Sequence, residues 1–134
     1  MRPTTRKEFI ARRHLRLRQR VRGTAAQPRL AVSFTGKHIY AQLVDDVAGK
    51  TLAFASTLDK SFGEKAPKGN KEGAAAIGKL IGQRAVEKGI KAVVFDRGGF
   101  SYRISKKKEL REAGKGRNRI ALLADAARAA GLKF

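Results

Sequence analysis

The sequence predicts an α/β fold: a single domain with a mixed sheet in the order β-β-β-α-β-α, helices packed on it, and a basic helical extension at the N-terminus. Three observations carry this. Three short apolar segments joined by turn residues fill positions 30–57. A long small-residue helical pattern at 70–89 leads into a fourth apolar segment at 91–95. The formal charge of +20 over 134 residues lies mostly outside these segments.

Residues 6–22 contain no Pro or Gly, and Ile10, Leu17 and Val21 share one helical stripe. Arg12, Arg16 and Arg20 form a second line, with Arg13 widening that face. Gly23 is expected to end this helix, and 24–28 reads as a linker. Leu30–Phe34, His38–Val44 and Thr51–Thr57 are the first three strands, an antiparallel meander turning at 35–37 and 45–50. A loop follows over 59–71.

Asn70 is a suitable N-cap for the next helix, whose core stripe is Ala74, Ile77, Ile81 and Ala85, with Gly89 as its stop. Lys91–Phe95 is almost wholly apolar and is expected to be a central strand, paired in parallel after a crossover. Ser105 is placed to cap a short helix across 106–113. Ile120, Leu123, Ala127 and Ala130 mark a last amphipathic helix ending at Gly131.

Charge and composition narrow the function. Residues 1–29 carry a net +9, 30–100 only +4, 101–119 +6 and 120–134 +1. Two basic segments that repel themselves call for a dense polyanion, and nucleic acid rewards clustered cations through counterion release. Arg outnumbers Lys nine to one in 1–29, and guanidinium groups suit bidentate phosphate contacts and stacking on exposed bases.

A hydrophobic content of 42% supports a real core. With no cysteine, disulfides, thiolate metal sites and a thiol nucleophile are excluded. No apolar run approaches a membrane span, and the Arg-rich start lacks the apolar stretch of a secretory signal. An organelle transit peptide is disfavoured because 1–22 contain no Ser and run straight into the domain.

Catalytic readings are weak. His14 and His38 are the only histidines, and no nucleotide-cradling glycine motif occurs. A metal-dependent nuclease would need clustered acids, for which Asp45, Asp46 and Asp96 are the candidates. Asp45-Asp46 falls in a hairpin turn, where Asp is common for conformational reasons, and Asp96 ends its strand alone. A free-standing nucleic-acid chaperone or architectural DNA binder shares the charge but would select RNA poorly. Aromatics interleave with bases at Phe34, Lys37, His38 and Tyr40, and again at Arg97, Phe100, Tyr102 and Arg103.

In order along the chain, several segments resemble the bacterial large-subunit ribosomal protein 18 family, the 5S ribosomal RNA binders. They are the Arg-rich start, Pro28-Arg29-Leu30, His38-Ile39-Tyr40-Ala41-Gln42, Ala53–Thr57 with Lys60, and Gly69-Asn70-Lys71 leading to Ala74-Ala75-Ala76. Gly89-Ile90-Lys91, Phe95-Asp96-Arg97-Gly98-Gly99-Phe100, Ala124–Arg128 and Gly131-Leu132-Lys133-Phe134 complete the set.

The resemblance implies a non-enzymatic constituent of the large subunit that binds 5S rRNA and helps attach it to the large-subunit rRNA in the central protuberance. Neighbouring ribosomal proteins are implied as further partners, with no cofactor, metal, membrane or small-molecule substrate.

The RNA contacts expected are Arg6, Arg12, Arg13, Arg16, Arg18, Arg20 and Arg22; Arg29, Ser33, Lys37, His38 and Tyr40; Lys68, Asn70 and Lys71; and Arg97, Phe100, Tyr102, Arg103 and Arg117. The chain is expected to divide into an RNA-binding extension, 1–27, and an α/β domain, 28–134, with a basic insertion near 103–117. One departure stands out: the family runs from its aromatic loop through His-Gly-Arg into the last helix. Here Tyr102 is followed by Arg103, and a Gly-Arg pair comes only at Gly116-Arg117. The Lys-rich stretch between them is expected to be a surface extension reaching more RNA or a neighbouring protein.

Overall fold

A computed structural model describes residues 2–64, 66–100, 106–109, 116 and 118–134. The elements are α1 (Arg6–Arg18), β1 (Arg29–Phe34), β2 (Ile39–Asp45), β3 (Lys50–Ser56), a 3-10 turn at Lys60–Phe62, α2 (Lys71–Glu87), β4 (Val94–Asp96) and α3 (Arg119–Ala129). The expected α/β order is present, and α1 adds a helix ahead of it.

Alternation sets the faces of the sheet. Leu30, Val32, Ile39, Ala41, Leu43, Ala53 and Ala55 are buried against the helices, while Ser33, Gln42 and Phe54 on the intervening positions are exposed. β1 and β2 pair antiparallel with Leu30 opposite Leu43 and Ser33 opposite Tyr40. β2 and β3 pair antiparallel with a bulge between Leu43 and Val44.

The stripe Ala74, Ile77, Ile81 and Ala85 of α2 is fully buried, as its spacing predicts, and meets Ile120, Leu123 and Ala127 of α3 in the same core. Gly78 and Gly82 allow this. A Cβ on Gly78 would lie 2.3 Å from the Leu123 carbonyl oxygen, and one on Gly82 would lie 2.5 Å from Ala130 Cβ. Asn70 caps α2 by accepting the Gly73 N–H at 2.9 Å, and Asn118 caps α3 by accepting the Ala121 N–H at 3.1 Å.

Two expectations need correction. The helix expected over 6–22 ends at Arg18, and Gly23 is not its stop. Gly23 instead donates its N–H to Asp46 Oδ2 at 2.7 Å and so fastens the chain after α1 to the β2–β3 turn. The apolar segment before Asp96 is not a central strand. The strand order is β3-β2-β1-β4, and β4 is a three-residue edge strand parallel to β1. Its apolar character comes from other cover. Ala92 bridges to Lys133, and the Phe95 ring packs 5.2 Å from that of Phe134. The Ser105 cap and residues 110–113 of the helix expected at 106–113 lie outside the described residues.

Candidate nucleic-acid interface

α1 starts on a capping box. Thr5 Oγ1 accepts the Glu8 N–H, and Glu8 Oε2 accepts the Thr5 N–H at 3.1 Å and the Thr4 N–H at 2.6 Å. The Thr-x-x-Glu pattern was present in the sequence as a start signal. No residue of α1 is fully buried, so packing alone does not hold it.

Four polar links and one close approach hold α1 and its exit against the domain. His14 Nε2 lies 3.0 Å from Asp96 Oδ2, and Arg18 Nη1 donates to Asp46 Oδ2 at 3.3 Å. Beyond the helix, Gly23 donates to Asp46, and Asp46 returns its N–H to the Gly23 carbonyl at 3.2 Å. Gly99 allows the helix to cross the loop after β4. Its φ is +84°, and a Cβ there would stand 2.3 Å from the Ile10 carbonyl oxygen.

Arg29 sits at the centre of these links. Its Nε and Nη2 donate to the two oxygens of Asp46, both at 3.0 Å, and its Nη1 donates to Asp96 Oδ2 at 2.7 Å. The Arg29 side chain is 12% exposed and that of Asp96 1%. Hydrogen bonding from Arg29 leads the forces that hold the Asp46 carboxyl well below its ordinary range, against its partial burial. Burial pushes Asp96 up, but the hydrogen bonds from His14, the Gly98 N–H and Arg29 outweigh it, and its carboxyl is lowered. Asp45 Oδ1 accepts the Val47 and Ala48 N–H groups. The three acids weighed as nuclease ligands are therefore engaged in turn geometry and ion pairing.

With α1 docked, residues far apart in sequence come together. One groove, of about 590 Å³, is lined by Arg13, Arg16, Arg20, Arg97 and Phe100. A second, of about 710 Å³, runs between α1 and the start of α3 and includes Arg6, Arg13, Phe34, Phe100 and Arg119. A third, of about 470 Å³, joins Lys37 and His38 of the β1–β2 turn to Lys68 and Asn70 before α2. His38 Nδ1 lies 3.1 Å from Thr57 Oγ1, and the Asn70 side chain is taken up as a helix cap. Lys71 is exposed in the first turn of α2; Ser33 and Tyr40 face each other on the sheet surface away from the helices.

Arg12 and Arg22 are exposed but line none of these grooves, while Arg18 and Arg29 serve internal ion pairs. Tyr102, Arg103 and Arg117 lie outside the described residues. Sequence reasoning missed Arg119. Its guanidinium carbon sits 4.7 Å from the Phe34 ring centroid, and it donates to the Gly69 carbonyl at 3.0 Å, tying α3 to the third groove. Its place at the foot of a basic segment was the available signal. Among the described residues, no carboxylate pairs with Arg6, Arg12, Arg13, Arg16, Arg20, Arg22 or Arg97.

Such a chain falls in the class of basic structural proteins of ribonucleoprotein particles, not among enzymes. The sequence model for ribosomal L18 of archaea, bacteria, mitochondria and chloroplasts matches residues 4–134, and the chain belongs to that family.

Curated relatives agree across nearly the whole length. The large ribosomal subunit protein uL18 of Kosmotoga olearia is 51% identical over 130 residues, covering 96% of this chain and 95% of the relative. That of Clostridium novyi is 52% identical over 129 residues, with the same coverage. That of Microcystis aeruginosa is 48% identical over 131 residues, covering 97% and 98%. The protein is a structural constituent of the large ribosomal subunit, and its place is the cytoplasmic ribosome. No helix among the described residues is long and apolar enough to cross a membrane.

Proposed function

We propose that this chain binds 5S rRNA and helps attach it to the large-subunit rRNA in the central protuberance. One observation carries the reading: docking of α1 gathers Arg6, Arg13, Arg16, Arg20 and Arg97 around Phe100, without a carboxylate partner among the described residues. An array of unneutralised guanidinium groups beside an aromatic loop suits folded RNA, whose phosphates converge and whose unpaired bases offer π-faces. Lys37, His38 and Lys68 line a second basic surface with Lys71 exposed beside it, and Arg119 of the groove between α1 and α3 reaches it through the Gly69 carbonyl. In this reading residues 1–27 are the RNA-binding extension and 28–134 the domain that presents it. The basic stretch 103–117 adds contacts to RNA or a neighbouring protein.

The test is a competition. Labelled 5S rRNA is titrated with the protein at about 150 mM salt against excess transfer RNA and duplex DNA, and the titration is repeated across salt. Binding that withstands both competitors supports the 5S reading. Equal displacement by each would leave a general polyanion binder. Removing residues 1–22 should flatten the salt slope by roughly one unit for each phosphate that the arm neutralises; an unchanged slope would remove the arm from the interface.

A further inference from the structure

We propose that the cleft between α1 and the start of α3 is a receptor for a single unstacked nucleobase, with its flanking phosphates on the arginines at the rim. The inference rests on the RNA-binding reading above and says what part of an RNA this cleft takes.

The cleft measures about 710 Å³, room for a base with part of its sugar. Its apolar lining is three rings, Phe9, Phe34 and Phe100, with Ile10 and Ile120 beside them. Phe9 on α1 leaves 46% of its surface exposed. The rings of Phe34 and Phe100 meet edge to face at 5.4 Å and 75°, and the Arg119 guanidinium lies over Phe34. Phe34 is thus braced from two sides, which makes a stiff wall that loses little entropy when a ligand arrives.

Arg6 and Arg13 are seven residues apart on α1, about 10.5 Å along the helix axis, so one cation stands on either side of Phe9. Among the described residues, no acidic side chain lines the cleft. Asn118 at its edge uses Oδ1 to cap α3.

This combination selects among occupants. An aliphatic peptide would satisfy the rings and leave the arginines unanswered; phosphate alone would leave Phe9 facing water. A nucleotide whose base is splayed out of its helix answers both, because every base has a π-face and its neighbouring phosphates follow the chain. A base inside an A-form duplex is shielded, so the ligand is a bulge, loop or single strand.

The test compares two probes of equal length and charge: a short single-stranded oligoadenylate, and the same strand with abasic sugars. Full-length protein should bind the intact strand roughly tenfold more tightly, the contribution of a stacked base. Phe9→Ala changes a half-exposed residue in a helix with no fully buried position, and its fold is checked by circular dichroism. It should lower the intact strand to the abasic level and leave the abasic strand unchanged. The double variant Arg6→Gln/Arg13→Gln should weaken both strands alike and flatten their salt slopes.

Equal binding of the two strands by the unmodified protein would overturn the proposal, as would a base preference that survives Phe9→Ala. The 5S competition separates this failure from the other. Selective 5S binding without base discrimination sinks only the receptor, whereas base discrimination without 5S selectivity sinks only the 5S reading.

Discussion

Replacing Arg29 with methionine tests whether the buried ion network organises the protein. The side chain keeps an unbranched apolar stem reaching about as far as Nε but loses three hydrogen bonds of 2.7–3.0 Å to Asp46 and Asp96. Removing one partner of a buried pair costs about 3–5 kcal/mol when the remaining charge is stranded. Here neither carboxylate is fully stranded. Asp46 keeps the Gly23 N–H and Arg18, and Asp96 keeps the Gly98 N–H and His14. The expected loss is therefore about 2–4 kcal/mol, below the stranded limit yet well above the ~0.5 kcal/mol of an ordinary surface change.

Urea unfolding at neutral pH reads this as a midpoint drop of about 1–2 M at a typical slope. A cycle with Asp96→Asn should show a coupling of about 1–3 kcal/mol. The acid limb adds a sign. Asp46 and Asp96 are both held below their ordinary value of 3.8 in the folded protein. Their stabilisation is present above 3.8 and is lost as pH falls below it through the folded values. Unmodified protein should thus weaken as pH drops below 3.8, and Arg29→Met should show a shallower fall. A loss under about 0.5 kcal/mol, with an unchanged acid limb, would refute the reasoning and return Arg29 to the free surface cations.

Gly99→Ala places a Cβ against the α1 backbone at a positive φ, so it should lift the helix from the loop. Hydrogen exchange at α1 amides should accelerate while the amides of α2 and α3 hold their protection. Gly78→Ala pushes the Leu123 carbonyl and should cost about 1–3 kcal/mol by forcing α2 from α3, seen as a lower melting temperature. Asn70→Ala removes the cap on Gly73 and should cost about 1 kcal/mol in urea unfolding, whereas Asn70→Asp should retain most of it.

The parts legible in the sequence were those fixed by local periodicity and turn chemistry. The meander, the α2 stripe and its Asn70 cap each depend on a few neighbouring residues, and each stands where its pattern places it. The position of β4 was not legible, because an apolar strand reads the same whether a second strand or a distant irregular segment covers it. Its cover is Phe134 and the Lys133 bridge, about forty residues away. The extent of α1 misled for a related reason. Residues 19–22 contain no helix breaker, but Gly23 is drawn to Asp46 in the β2–β3 turn, and the chain must leave the helix to reach it.

The candidate site shows the same division more sharply. Composition identified the arginines as a group but could not sort them, since Arg18 and Arg20 are indistinguishable by sequence. The acids do the sorting. Asp46 and Asp96 lie fifty residues apart, and the fold brings both onto Arg29, with Arg18 on the first and His14 on the second. The cations within reach of these two carboxylates become fasteners, and those beyond them, Arg6, Arg13, Arg16 and Arg20, remain on the surface around Phe100. A domain of modest charge thus uses two of its few acids to hold a strongly basic arm in place. The arm's self-repulsion, which would oppose an isolated helix, is offset where it meets the sheet and retained where it meets solvent. Retained repulsion of that kind is relieved when phosphates arrive, so the same arrangement that steadies the arm keeps its outer face receptive to RNA.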